Sequence, residues 1–214
     1  MKVIFSIKFI LLSLLFCSII VESVAQDKNQ KQQDERIQAF LKKQQQQWDH
    51  LNVPYEDGQL LYNLIVKNNY QSALEIGTST GHSTIWIAWA LSKTGGKLIT
   101  IEIDENRQQE AIKNLKAVGL YDVVEFKLGN AHQIVKEVKG PFDFVFSDAD
   151  KDWYAQYFED VNPKLKKGGC FTAHNVLQNL NGISEYMNLV KTHPDYETTV
   201  DQSSNSGMAI SYKK

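Results

Sequence analysis

The sequence predicts an α/β fold: a doubly wound, mostly parallel sheet with helices on both faces and an antiparallel hairpin at its C-terminal end. Three observations predict it. From Ser72 onward, short apolar runs alternate with segments of helical spacing, the pattern of successive βα units. The first run, Ala73-Leu-Glu-Ile-Gly77, empties through the turn Gly77-Thr-Ser-Thr-Gly81 into a helix. The next, Lys97 to Glu102, ends in a carboxylate, the position from which a second strand can hold ribose hydroxyls.

Taken in order, the chain opens with Lys2 and Lys8 around the start of an apolar run from Phe9 to Val21, followed by Ser23-Val-Ala25. This is the pattern of a signal peptide cut after Ala25. The run is short of the roughly twenty residues of a bilayer span, so an uncleaved membrane anchor is the second reading. Cleavage would make the protein exported, periplasmic or secreted. An anchor would leave the domain facing the cytoplasm, and the lysines and arginine on both sides of the run do not decide orientation. Residues 26–50 read as a polar spacer and a helix over 34–47, with Ile37, Phe40 and Leu41 at helical spacing. That segment could also pack on a second copy in a homodimer. Residues 51–214 read as one domain.

Within it Pro54 precedes a helix running through 58–68. Strands follow at 72–76, 97–102, 123–127, 142–148 and 170–174, separated by helices at 82–92, 105–118, 131–138 and 153–161. Ala111, Ile112, Leu115 and Val118 mark one face of the second of these, and Gly119 is placed to end it. A helix at 182–192 leads to strands 196–200 and 208–212, close enough to pair across a polar loop containing Gly207.

Composition narrows the partners. The 214 residues carry a net charge of −2, so no basic surface invites a phosphate backbone, and a small molecule is the expected partner in place of nucleic acid. Cys17 would leave with the signal and Cys170 would remain alone, an inert core thiol, which excludes an intramolecular disulfide in the mature chain. The spacing Gly77-x-x-x-Gly81 is not the Gly-x-Gly-x-x-Gly of dinucleotide sites, which disfavours nicotinamide and flavin cofactors. A glycine turn alone can also serve only backbone freedom.

Three motifs fall at the carboxyl ends of successive strands, where open α/β sheets bind ligands: Glu75 to Ser83, Glu102, and Phe144-Val-Phe-Ser-Asp148-Ala-Asp150-Lys151. With Val53-Pro-Tyr-Glu-Asp-Gly58-Gln59-Leu and the terminal hairpin, they resemble the catechol and caffeoyl-coenzyme A O-methyltransferase family, from about Val53 to Tyr212. The resemblance implies a Rossmann-like methyltransferase sheet of class I, S-adenosylmethionine as cofactor and a divalent metal in most members. It implies that Glu75 and Gly77 form the cofactor turn, with Gly77 letting the backbone approach the methionine part. Ser83 would hold the cofactor carboxylate, aided by the start of its helix, and Glu102 the ribose. Val53 would make a backbone contact, and Ala131 and His132 would lie beside the adenine. For Val53 and His132, packing near the site is the alternative. Asp148 would touch cofactor and metal. Lys151 would be the general base or the group that steadies a forming phenolate, the alternative being a solvated lysine at a helix start.

Methyl transfer from a sulfonium asks the protein to position an oxygen nucleophile and remove its proton, which a divalent ion on two adjacent oxygens can do. At Phe171-Thr-Ala-His174-Asn175-Val-Leu177 the sequence departs from the family, which has an acid before the Asn. Imidazole suits zinc, iron, manganese or nickel better than magnesium or calcium. Three readings follow: His174 ligates a softer metal with Asp148 and Asn175, it is a second acid or base in a metal-independent site, or it marks a relative that binds cofactor without turnover. A phenolic or catechol-like acceptor is implied by the resemblance alone. Trp48, Trp153, Tyr154 and Tyr157 could wall an aromatic slot or could be helix packing, while Trp86 and Trp89 read as buried.

Overall fold

The computed structural model describes residues 28–45 and 52–214. The signal or anchor reading of 1–25, Cys17 and Trp48 fall outside these residues. Among the described residues no helix is long and apolar enough to cross a membrane. The chain divides into two units at Gln44 and Gln45. In the first, residues 28–44 are helical (α1), so the helix already covers the six residues before the expected start. Lys, Gln and Glu lose little side-chain freedom in a helix, so from residue 28 the expected polar spacer is helical.

In the second unit the elements run α2 (Tyr55–Asn68), β1 (Ser72–Ile76), α3 (His82–Thr94), β2 (Lys97–Glu102), α4 (Glu105–Val118), β3 (Val124–Leu128), α5 (Ala131–Glu137), β4 (Phe142–Ser147), α6 (Tyr154–Val161), β5 (Leu165–His174), α7 (Ile183–Thr192), β6 (Tyr196–Asp201) and β7 (Met208–Lys213). The sheet order is β3-β2-β1-β4-β5-β7-β6. β1 to β5 are parallel, and β7 joins β5 and β6 antiparallel. The expected fold class holds, hairpin included.

Period-two alternation sends neighbouring side chains to opposite faces. Leu74, Ile76, Phe171 and Ala173 pack with Val135, Tyr157, Phe158 and Val190 on one face. Ala73, Phe144, Phe146 and Cys170 pack with Leu61, Ile65, Ile87 and Leu91 on the other. Trp86 and Trp89 are buried on α3, as their helix's all-round apolarity suggests. Cys170 is a free, fully buried thiol, and burial pushes its ionisation up.

Two boundaries differ from expectation. α2 starts three residues before Gly58, directly after Pro54, whose extended backbone caps the helix while Glu56 and Asp57 fill its first turn. β5 starts at Leu165, five residues early, because Leu165 already pairs with Phe142. A register irregularity between Phe142 and Phe144 accommodates Lys166 to Gly169.

Candidate functional site

The chain runs outward from β1 through β2 to β3 and returns to β4 on the other side of β1. The carboxyl ends of β1 and β4 therefore diverge, and the crevice there is where such sheets hold ligands. A cleft of about 380 Å³ opens at this point. Its floor is the turn after β1, anchored where the Gly77 amide donates to the Ile101 carbonyl at 3.0 Å and the Asp148 amide to the Ile76 carbonyl at 2.8 Å. Gly77 has φ +105°, and a Cβ there would lie 2.9 Å from the Asp148 carbonyl oxygen. Besides any approach to a ligand, its missing side chain lets the ends of β1 and β4 touch.

Glu102, 6% exposed, lines the cleft. One oxygen accepts from the Ser79 amide at 2.7 Å, and the other from the Ile103 and Asp104 amides at 2.9 and 3.0 Å. A carboxylate has about four acceptor sites, so one remains, on the oxygen that meets Ser79, for a ligand hydroxyl. Ser83 lies in the first turn of α3 and lines the same cleft. The Ser79 hydroxyl also borders it, buried and with no partner.

Val53 forms part of the wall. Its carbonyl accepts from His82 Nδ1 at 2.6 Å, and Trp86 Nε1 donates to His82 Nε2 at 3.1 Å. Burial lowers the His82 pKa to about 4, so the ring is neutral and can play both parts. Ala131 and His132 stand at the far end of the cleft. The His132 ring stacks on Trp153 with centroids 3.6 Å apart, and its Nε2 lies 3.1 Å from an Asp150 carboxylate oxygen.

Asp148 and Lys151 line this cleft and also a second cavity, which His174, Asn175, Asn52 and Ser206 complete. Lys151 Nζ donates to Asp148 Oδ1 at 2.7 Å and to its carbonyl at 3.3 Å, committing two of three protons. His174 Nδ1 lies 3.3 Å from Asp148 Oδ1 and Nε2 lies 2.8 Å from Asp57 Oδ2. Burial alone would lower the His174 pKa, but Asp148 and Asp57 together raise it to about 9, so the ring is an imidazolium at neutral pH. Burial works upward on Asp148 too, yet His174 and Lys151 hold its carboxyl below the usual range.

Residues 24–192 match the model of a family described as O-methyltransferase. The chain belongs to the O-methyltransferase family. Among curated relatives, a catechol O-methyltransferase of Niastella koreensis is 38% identical over 132 residues, covering 60% of this chain and 59% of the relative. A caffeoyl-CoA O-methyltransferase of Petunia hybrida is 33% identical over 138 residues, covering 62% and 57%. The match thus spans about three fifths of the length of these relatives. Among solved structures, an O-methyltransferase from Streptomyces achromogenes in complex with SAM is 26% identical at TM-score 0.74, covering 82% of this chain and 89% of that one. One from Bacillus cereus in complex with SAH is 29% identical at TM-score 0.71, covering 85% and 90%.

Against that family background, the expected metal set of Asp148, His174 and Asn175 does not fit a cation. A ring whose two nitrogens both donate to carboxylates has no lone pair to give. Asp57 and Asp148 flank the imidazole on opposite edges, and among the described residues no three His, Cys, Asp or Glu side chains converge as ligands. Of the two readings of the aromatic residues, helix packing fits Tyr154 and Trp153. Tyr154 is fully buried, Trp153 backs His132 and Tyr157 lines the first cleft, so none of the three borders the second cavity.

Glu75 lies behind the turn instead of in the cleft wall. It is fully buried, its Oε2 accepting from Thr84 and Thr100 hydroxyls at 2.6 Å each and its Oε1 having no partner. Burial raises its pKa to about 7 against the hydroxyl donors, which favour the carboxylate. A folded-state pKa above the unfolded value means that stability falls as pH rises from about 4.5 through 7, by on the order of 3 kcal/mol in all. Glu75→Gln is expected to remove most of that fall, measured as urea-unfolding free energies at pH 5 and pH 8. An unchanged difference between the two would refute the assignment.

Three residues at the site escape a reading of motifs. Asp57 shares the inner face of α2 with Leu61, Leu64 and Ile65, and an acid at that spacing among apolar residues is a usable signal of a buried partner. Ser79 and Arg107 line the cleft but carry no local signature.

Proposed function

We propose that the chain transfers the methyl group of S-adenosylmethionine to a hydroxyl of a small phenolic or catechol-like acceptor. The observation that carries this reading is the Asp148–Lys151 pair, which forms the common wall of the cofactor cleft and the second cavity. Family membership supports the chemistry, and the names of the catechol and caffeoyl-CoA relatives support the acceptor class. The cleft suits the cofactor: Glu102 offers a carboxylate to ribose hydroxyls, Ser83 and the first-turn amides of α3 suit a carboxylate, and the unpartnered Ser79 hydroxyl has capacity for a ligand. Ala131 and His132, which line the same cleft, are assigned to the adenine in this reading.

Bound there, the cofactor supplies an electrophilic methyl carbon: the acceptor oxygen bonds to it as the carbon–sulfur bond breaks, leaving a neutral thioether. The protein orients the two reactants across the shared wall. Lys151 directs its third proton to the acceptor oxygen and steadies it as phenolate, while the hydroxyl proton leaves to water on the second-cavity side. Asp148 holds Lys151 in place and puts negative charge near the sulfonium.

Calorimetry with S-adenosylhomocysteine, followed by radiolabelled methyl transfer to a catechol panel, tests the proposal. One equivalent bound and label in the acceptor is the expected result. No binding rejects the cofactor site, and binding without transfer across the panel leaves a cofactor-binding relative. The leader read at 1–25 supports export, with an anchored domain facing the cytoplasm as the second arrangement. The amino-terminal residue of the mature protein separates them.

A further inference from the structure

We propose that the acceptor side of this site works without a divalent cation, because the His174 side chain, held between Asp57 and Asp148, stands in the cation's place. The inference rests on the methyl-transfer reading and concerns what polarises the acceptor in it.

The contacts come first. Asp57, Asp148, His174 and Lys151 form one continuous chain: 2.8 Å from Asp57 to His174, 3.3 Å from His174 to Asp148 and 2.7 Å from Asp148 to Lys151. Each carboxylate faces a nitrogen of the same ring, and Asp148 faces the Lys151 nitrogen as well. A dication entering here would have to part the ring from one of its carboxylates, with the loss of solvation that burial exacts. The side chains of His174 and Asp57 are 4% and 1% exposed, so water does little to relieve that.

Geometry agrees. A histidine that binds metal turns one nitrogen to the ion and uses the other to hold its orientation. Here both nitrogens serve orientation, one carboxylate at each edge. Asp57 is itself fixed, since Ser204 Oγ donates to the same oxygen that meets His174, at 2.8 Å. The ring is held by Asp57 of α2 and by Asp148 at the end of β4, and the β6–β7 loop holds Asp57. The ring steadies Asp148, and Asp148 in turn aims Lys151. His174 is therefore a positioning residue, and Lys151 alone directs a proton at the acceptor.

The experiment uses the full chain, treated with chelator and dialysed, with Mn²⁺ as probe followed by electron paramagnetic resonance. The wild-type chain is expected to take up no Mn²⁺ that depends on Asp148, and its methyl transfer is expected to be the same with chelator as with added Mg²⁺, Mn²⁺ or Zn²⁺. His174→Asp, which restores an acid at this position, is expected to bind Mn²⁺ at least about tenfold tighter than the wild type. One equivalent of Mn²⁺ bound by the wild type and lost in Asp148→Asn overturns the inference. Turnover that requires an added metal also overturns it. So does a folded His174→Asp, judged by its thermal transition, that gains no Mn²⁺ affinity. Should His174→Asp fail to fold, the wild-type and Asp148→Asn titrations decide. S-adenosylhomocysteine binding is measured alongside: its absence would count against the cofactor reading, whereas metal uptake with intact cofactor binding counts against this inference alone.

Discussion

Lys151→Met is expected to lower kcat by about a hundred- to a thousandfold, the effect of removing one preorganised donor from a developing oxyanion. The lysine stem is kept and the charge is lost, so packing beside Tyr154, whose ring lies 5.3 Å from the ammonium, changes little. Cofactor affinity moves the other way. Without the ammonium, Asp148 is neutralised from one side only and its residual charge favours the sulfonium. S-adenosylmethionine should bind as tightly as before or somewhat tighter, with neutral S-adenosylhomocysteine unaffected. Single-turnover rates and calorimetry measure the two effects separately. A rate within about threefold of the wild type would remove Lys151 from the reaction.

Glu102→Ala is expected to weaken S-adenosylhomocysteine binding by about a hundredfold, since hydrogen bonds to a charged group contribute roughly 1.5–3 kcal/mol each. It also strands the amides of Ser79, Ile103 and Asp104, which now share its two oxygens. The turn after β1 loses one of its ties to the end of β2, the Gly77–Ile101 bond remaining, so the melting temperature should fall as well. Glu102→Gln keeps one acceptor oxygen but turns an amide group toward backbone donors, and it should fall between the wild type and the alanine variant in affinity. Equal affinity across all three would exclude a ribose contact at this position.

The first cleft was legible in the sequence because its parts are local. Glu75 to Ser83 and Glu102 lie at the ends of adjacent strands whose apolar runs and glycine turn announce themselves within a few residues. The sheet followed from the same alternation, and the hairpin from two β-rich segments around Gly207. The second cavity was not legible in the same way. His174 stood out as a departure, but its meaning depends on Asp57, 117 residues away in sequence, and no spacing rule connects a helix's first turn to the end of β5. The start of β5 was hidden for a different reason: only the pairing of Leu165 with Phe142 makes the residues before Cys170 a strand. Trp153 and Tyr157 were aromatic in the right region, and only the packing of α5 against α6 tells which cavity they face.

The loop between β6 and β7 lies beyond residue 192, where the match to the family model ends. Yet Ser204 donates to Asp57, Ser206 lines the second cavity, and the Leu177 amide is held by the Ser206 carbonyl at 3.0 Å. None of these residues borders the cofactor cleft. The enclosure around His174 and Asn175 is thus finished by a short segment that stands clear of the first cleft, so a change of length or residue there would reshape the second cavity and leave the lining of the first as it is.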